Sequence, residues 1–203
     1  IYKWRANGIK SNLVDKGGHQ WSLEGYTRTV ITSTAHRTFN DVRIQSMKDF
    51  NSPLAVMSSH PAARQACAYI KGHVVNIVAP ESPDYNDKYD SIYNHGYGTA
   101  AGTQGVNCRH DLYPYVEGVS HNFQKQYDPE EAQKNADIQQ KQRYYERSIR
   151  AAKYKLELAN GLKDEQGQRA AKSTISSYQG KLRDIVKNND FLARQYARER
   201  IVK

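Results

Sequence analysis

The sequence predicts an α+β protein: a small domain of one long helix with a few short strands and a long loop, followed by a basic C-terminal helical hairpin. Three observations lead there. Apolar residues recur mostly at helical spacing between Ser22 and Asn51. Two short apolar runs then precede a long stretch without periodicity. From Asp128 onward, narrow apolar stripes at helical spacing sit on otherwise charged segments.

The long helix is expected to start at Ser22, whose hydroxyl suits the N-cap. Leu23, Tyr26, Val30, Ile31, Ala35, Phe39, Val42 and Met47 supply its apolar face. Thr29, Thr32, Thr34 and Thr38 are weak helix formers, so packing must hold it more than propensity does. Ser52-Pro53 ends it. Leu54-Ala55-Val56-Met57 reads as a buried strand, and residues 73–78, with more β-branched content, as a second. Residues 80–105 are rich in Asp, Asn, Ser, Tyr and Gly; a loop of that length is usually either functional or mobile. Residues 112–119 are expected to add a third extended segment. Residues 1–21, interrupted by Gly8, Gly17 and Gly18, read as an irregular lead-in. Ile1 rather than Met stands first, as in a fragment or processed product of something longer.

The C-terminal part carries sharper signals. Asp128-Pro129-Glu130-Glu131 offers an N-cap, a proline at the first helical position and acids in the first turn. Ile138, Tyr145, Ile149, Ala152 and Leu156 follow a heptad-like seam, and Asn160-Gly161 stops it. A second helix is expected over 164–187, with Ile175, Tyr178, Leu182 and Ile185 on one face. Asn188-Asn189-Asp190 ends it, before a short basic helix from Phe191. The domain division is therefore 1–21 as lead-in, 22–122 as a small α+β domain, and 128–203 as a helical hairpin or coiled coil.

Composition narrows the partners. The chain has 203 residues and a formal charge of +9, from 30 Lys and Arg against 21 Asp and Glu. A field of that sign favours polyanions, although no single basic run is dense. No stretch approaches the roughly 20 apolar residues of a membrane helix, and no signal-peptide pattern opens the chain. The 15 tyrosines suit contact surfaces that are partly apolar and partly wet. Two cysteines do not make a disulfide framework.

Two segments concentrate reactive side chains: Ser58-Ser59-His60-Pro61-Ala62-Ala63-Arg64-Gln65-Ala66-Cys67 and Gly105-Val106-Asn107-Cys108-Arg109-His110. Two Cys and two His match a tetrahedral structural zinc site in number and type. In an extended segment, Cys108 and His110 point to the same face. The spacing of His60 and Cys67 is not a familiar zinc spacing, however. The alternative is that the histidines bond backbone carbonyls while the cysteines act as small buried hydrophobes. A Cys–His nucleophile is a third reading, without any local protease signature behind it. Arg28, Arg64 and Arg109 could fork onto a phosphate or carboxylate, or brace loops against the helix. Gly96, Gly98, Gly102 and Gly105 lie in a loop with no apolar strand before them, which argues against a phosphate-binding loop.

The series Gln20-Trp21-Ser22-Leu23-Glu24-Gly25-Tyr26-Thr27-Arg28-Thr29, Ser58-Ser59-His60-Pro61-Ala62-Ala63-Arg64, Gly105-Val106-Asn107-Cys108-Arg109-His110 and Tyr113-Pro114-Tyr115-Val116-Glu117-Gly118 resembles the C-terminal region of the phage minor capsid protein 2 family. The basic helix around Lys141-Gln142-Arg143-Tyr144-Tyr145-Glu146-Arg147-Ser148-Ile149-Arg150 completes the resemblance, which runs from about Gly17 to the end. That family is distantly similar to the head-morphogenesis proteins of Mu-type phages. In its relatives an imidazole can stand where Cys67 stands; both side chains ligate zinc. The resemblance implies a structural head protein of a tailed bacteriophage, made in the host cytoplasm and placed in the virion, in the capsid interior or near the portal. Its implied partners are portal and capsid proteins and the packaged double-stranded DNA, with no membrane. Domains of this group also occur fused to toxin modules. The competing expectation is thus a virion-carried effector enzyme, a metal-dependent nuclease or a transferase. The acids of this chain cluster in the 81–90 loop and on helix surfaces, mostly away from the Cys and His segments in sequence, which weakens that expectation.

Overall fold

The computed structural model describes residues 2–3, 10–18 and 20–201. Its backbone is mixed helix and strand, as expected, with one long helix, short strands and a C-terminal helical pair. The chain forms two compact units, one of residues 28–136 and one of residues 1–27 with 137–203. Among the described residues no helix is long and apolar enough to cross a membrane.

The unit of residues 28–136 contains most of the first helix, α1 (Leu23–Asp49), and a three-stranded antiparallel sheet. Asn51, in the left-handed region at φ 51°, turns the chain out of α1, and the Ser52 N–H closes the end on the Met47 carbonyl at 2.8 Å. Strand β3 (Leu54–Met57) is central and buried along its whole length, as its unbroken apolar run requires. It pairs with β4 (Val74–Asn76) on one side and β5 (Leu112–Pro114) on the other, in register Ala55 to Val75 and Val56 to Tyr113. Both flanking strands are shorter than the apolar runs suggested. Asn76 ends β4 because its amide turns to the loop: it donates to the Asn86 and Tyr89 carbonyls and accepts from the Asn86 N–H. The short helix α2 (Gln65–Ala68) lies between β3 and β4. Met57, Ile70, Val75, Ile77, Ile92 and Leu112 fill the core from these segments, and Ile44 and Met47 reach it from α1.

The face α1 buries differs from the one its apolar periodicity marks. Val30, Ile31, Phe39 and Val42 are exposed, whereas Asn40, Ile44 and Met47 are buried. These three follow the i, i+4, i+7 spacing of a packed face. The first of them is polar, so a pattern read on hydrophobicity alone misses the face.

The long loop is packed rather than loose. Ser91, Ile92 and Thr103 have no exposed surface. Ser91 donates to the Val78 carbonyl at 2.8 Å, and a 3₁₀ turn over Ile92–His95 carries the chain around. The loop glycines serve close backbone approach: a Cβ on Gly102 would lie 1.9 Å from the Gly96 carbonyl oxygen. From residue 120 the chain straps over the β4 side, where Asn122 and Gln126 both donate to the Gly72 carbonyl. Beneath the strap, Lys71 is buried; its ammonium donates to the Tyr127 carbonyl at 3.2 Å and lies over the Tyr127 ring. Burial lowers its pKa, against the fields of Asp128 and Glu131.

In the other unit, β1 (Lys10–Val14) and β2 (Gln20–Ser22) form an antiparallel pair where an irregular lead-in was expected. The glycines that argued for irregularity build its turn: Gly18 adopts φ 79°, and the Gly17 N–H donates to Asp15 Oδ1. Ser22 then caps α1 as expected, accepting the Gly25 N–H at 3.1 Å. Residues 1, 4–9, 19 and 202–203 of the expected lead-in and tail lie outside the described residues.

Helices α3 (Pro129–Gly161) and α4 (Glu165–Lys187) form the C-terminal pair. Asp128 caps α3 through the Glu131 N–H at 2.7 Å. Lys163, at φ 54°, makes the reversal, and Asp164 caps α4 through the Gly167 N–H. Ile149, Ala152 and Leu182 of the expected seam are buried, and the Tyr145 and Tyr178 rings meet at 5.9 Å. One layer was not foreseen. The segment after α4 folds onto α3: Gln142 donates to the Ala193 carbonyl, Lys153 to the Glu199 carbonyl, and Arg194 clasps the buried Glu199 through two bonds of 2.7 and 2.9 Å. Residues 196–199 make a 3₁₀ turn in place of the expected basic helix.

Leu182 has no exposed surface in this pair. Leu182→Ala is therefore predicted to lower unfolding free energy by ~2–5 kcal/mol, the range for a truncated core leucine. Urea titration followed by circular dichroism measures it; a loss under ~0.5 kcal/mol, the size of a surface effect, would contradict the packing.

Candidate functional site

The two segments rich in Cys and His meet beside the sheet. Cys67 sits in α2, Cys108 in the turn before β5, and His110 two residues further on; all three are buried. One ligand atom from each lies within 4.8 Å of the other two. Cys108 Sγ is 3.5 Å from His110 Nδ1. His60, from the segment after β3, tilts its ring against His110 at a centroid distance of 4.8 Å, and its Nε2 lies 3.2 Å from the Arg109 carbonyl. All four residues singled out in the sequence thus belong to one neighbourhood, three as a tight buried cluster and His60 with its ring against that of His110.

The backbone under the cluster is fixed from α1. Asn40 donates to the His110 carbonyl at 3.3 Å and to Gln104 Oε1 at 2.9 Å, and Gln104 donates to the same carbonyl at 2.7 Å. The Leu112 N–H donates to Asn40 Oδ1 at 3.2 Å. Gln104 and Asn107 adopt left-handed backbone, at φ 58° and 59°, to make the tight approach to His110. The Asp111 N–H donates to Ser58 Oγ, and Ser58 N–H to the Asp111 carbonyl, which ties the two segments in register.

Electrostatics divides the two thiols. Cys67, hydrogen-bonded to Cys108 and buried, is pushed up and keeps its proton. Cys108 is pulled below the ordinary thiol range by the hydrogen bond from Cys67 and by His110 and His36, against the effect of burial. The His36 imidazole, hydrogen-bonded to Cys108, is raised, whereas burial and then the His110 ring lower His60. Among the described residues, His110 Nε2 is buried without a hydrogen-bond partner. Such a nitrogen is rare in a folded interior and points to a partner that is not a protein atom.

Sequence reasoning passed over His36, Asn40, Thr103 and Gln104, which border the cluster. His36 and Asn40 stand one helical turn apart, a usable signal; Thr103 and Gln104 lie in the aperiodic loop and carried none. The three arginines are placed differently. Arg64 braces the loop, donating to the Ala101 and Val106 carbonyls, whereas Arg28 and Arg109 are exposed. A shallow depression of about 500 Å³ adjoins Arg64 and is bordered by Tyr69 and His95. His95 is paired with Asp90 at 2.7 Å, but no Ser, Thr or Cys lines the depression to act as a nucleophile.

The comparisons with known proteins agree with one another. The chain is 57% identical over 199 residues to a structural protein of Lactococcus phage LL-H, an alignment covering 98% of this chain and 54% of that protein. It is 53% identical over 119 residues to a structural protein of Lactococcus phage mv4, covering 59% of this chain and 97% of that protein. The chain thus spans about half the length of the first relative. No solved structure matches it. The model of the family described as phage minor capsid protein 2 matches residues 1–187, and the chain belongs to that family of phage structural proteins.

Proposed function

We propose that this chain is a structural part of the phage head that sits near the portal and touches packaged DNA without reading its sequence. Family membership supports the structural role. The single observation that favours the DNA contact is the surface of the helical pair. Lys141, Arg147, Lys155, Lys172, Lys181 and Arg183 are all exposed there, on helices whose apolar side chains are turned inward. Exposed cations of that kind neutralise phosphates and displace counterions, contacts that carry no sequence information. Portal and capsid proteins are the protein partners this reading assigns, and the virion its location.

Binding to double-stranded DNA is predicted to be sequence-independent, with log affinity falling linearly against log salt. Each phosphate contact contributes about 0.9 to that slope. Lys155→Glu with Lys172→Glu should lower both the affinity at low salt and the slope. Fluorescence anisotropy with two unrelated duplexes, at several salt concentrations, measures both. Affinity that is flat with salt would remove DNA from the partners, and cleavage of either duplex would favour the effector-enzyme reading instead.

Location is tested separately by imaging intact particles with this chain tagged. The expected result is density at the portal vertex, inside the shell; density spread evenly over the capsid lattice would contradict it.

A further inference from the structure

We propose that Cys67, Cys108, His110 and His60 hold one zinc ion in a closed, structural site.

The geometry argues for a metal. Two sulfurs and an imidazole nitrogen are gathered within 4.8 Å of one another, and all three side chains are buried. Zinc bonds of about 2.3 Å to sulfur and about 2.0 Å to nitrogen place neighbouring tetrahedral ligands roughly 3.3–3.8 Å apart. Cys108 Sγ and His110 Nδ1 already stand at 3.5 Å. The Cys67 sulfur, within 4.8 Å of both, needs to close by only about an ångström.

The donor set names the metal. Thiolates with imidazoles select zinc over magnesium or calcium, which take oxygen ligands. His60 supplies the fourth ligand because its ring already lies against His110 and one nitrogen meets the Arg109 carbonyl. That carbonyl contact is the usual second partner of a metal-bound histidine: it fixes the ring and leaves the other nitrogen for the ion. Four protein ligands leave no open position for water, so the ion is structural and not hydrolytic. It would tie α2, the segment after β3 and the turn before β5 to one point, across a loop whose closure is otherwise entropically unfavourable.

The test uses the whole chain, purified without chelator. Expected are one equivalent of zinc by elemental analysis and a first shell of two sulfurs and two nitrogens by X-ray absorption. Exchange with cobalt(II) should give the visible spectrum of a tetrahedral thiolate site, which requires no variant to fold. Cys108→Ser and Cys67→Ser should reduce bound zinc to a small fraction. His60→Gln should weaken zinc binding at least tenfold in competition with a chromogenic chelator, and His121→Gln, at an exposed histidine outside the cluster, should leave it nearly unchanged. A metal-free protein that takes up no zinc from a buffered solution would overturn the proposal. So would a Cys67–Cys108 disulfide found by mass spectrometry under non-reducing conditions. Full affinity in His60→Gln would overturn the closed four-ligand site.

Discussion

The side-chain amide of Asn40 is the contact on which the unit of residues 28–136 depends. It is buried on α1, with about 1% of its surface exposed, and its two ends do different work. The oxygen accepts the Leu112 N–H; the nitrogen donates to the His110 carbonyl and to Gln104. Three backbone or side-chain groups that water cannot reach are satisfied by one residue. Substituting it by an apolar residue would take this partner from the Leu112 N–H and from Gln104 Oε1, while the His110 carbonyl keeps the Gln104 amide; losing one side of a buried hydrogen bond is the expensive direction. Arg43, one position before Ile44, donates to the Leu112 carbonyl at 3.2 Å and stacks over Phe39. The helix therefore hydrogen-bonds both polar groups of the residue that opens edge strand β5. An edge strand of three residues is short-lived alone; here the helix completes it, and the cluster around Cys108 and His110 inherits its position.

That arrangement explains which parts of the molecule were legible in the sequence. Elements with local punctuation could be read. Ser22 and Pro53 frame α1, Asp128-Pro129 opens α3, and Asp164 opens α4 within a residue of its expected start. The central strand declared itself by four consecutive apolar residues. What failed was orientation. Val30, Phe39 and Val42 suggested an inward face, yet the helix turns Asn40, Ile44 and Met47 inward, because a hydrogen-bonded amide can be buried as well as a leucine. The hairpin of residues 10–22 was missed for a related reason: its turn glycines looked like interruptions when they were the turn itself.

The candidate site was legible as a list of residues but not as a shape. Two segments each carried one Cys and one His, and their sequence order gave no angle or distance. The geometry comes from long-range bonds that leave no local signature, such as Ser58 to Asp111 and Gln104 to His110. Gln104 must also adopt left-handed backbone, an unusual state for a residue of its kind. The tail after α4 makes the same point in the other unit. Glu146 is buried there between Arg143 of its own helix and Arg198, which arrives from the tail, while Arg194 clasps Glu199 within the tail itself. A buried acid with its partner in place is tolerated; without it the cost is large.

Hydrogen exchange on Asn40→Ala, compared with the unchanged chain, tests the central claim most directly. If the amide locks α1 to β5 and to the cysteine turn, the amides of Leu112 and Cys108 should lose protection together by a large factor. Those of Ala55 and Val75, in the β3–β4 pair, should stay protected to nearly the global limit, because stability is lost locally before it is lost throughout. Unchanged protection at Leu112 and Cys108 would contradict the account and show that the sheet and the cluster hold their positions without the helix.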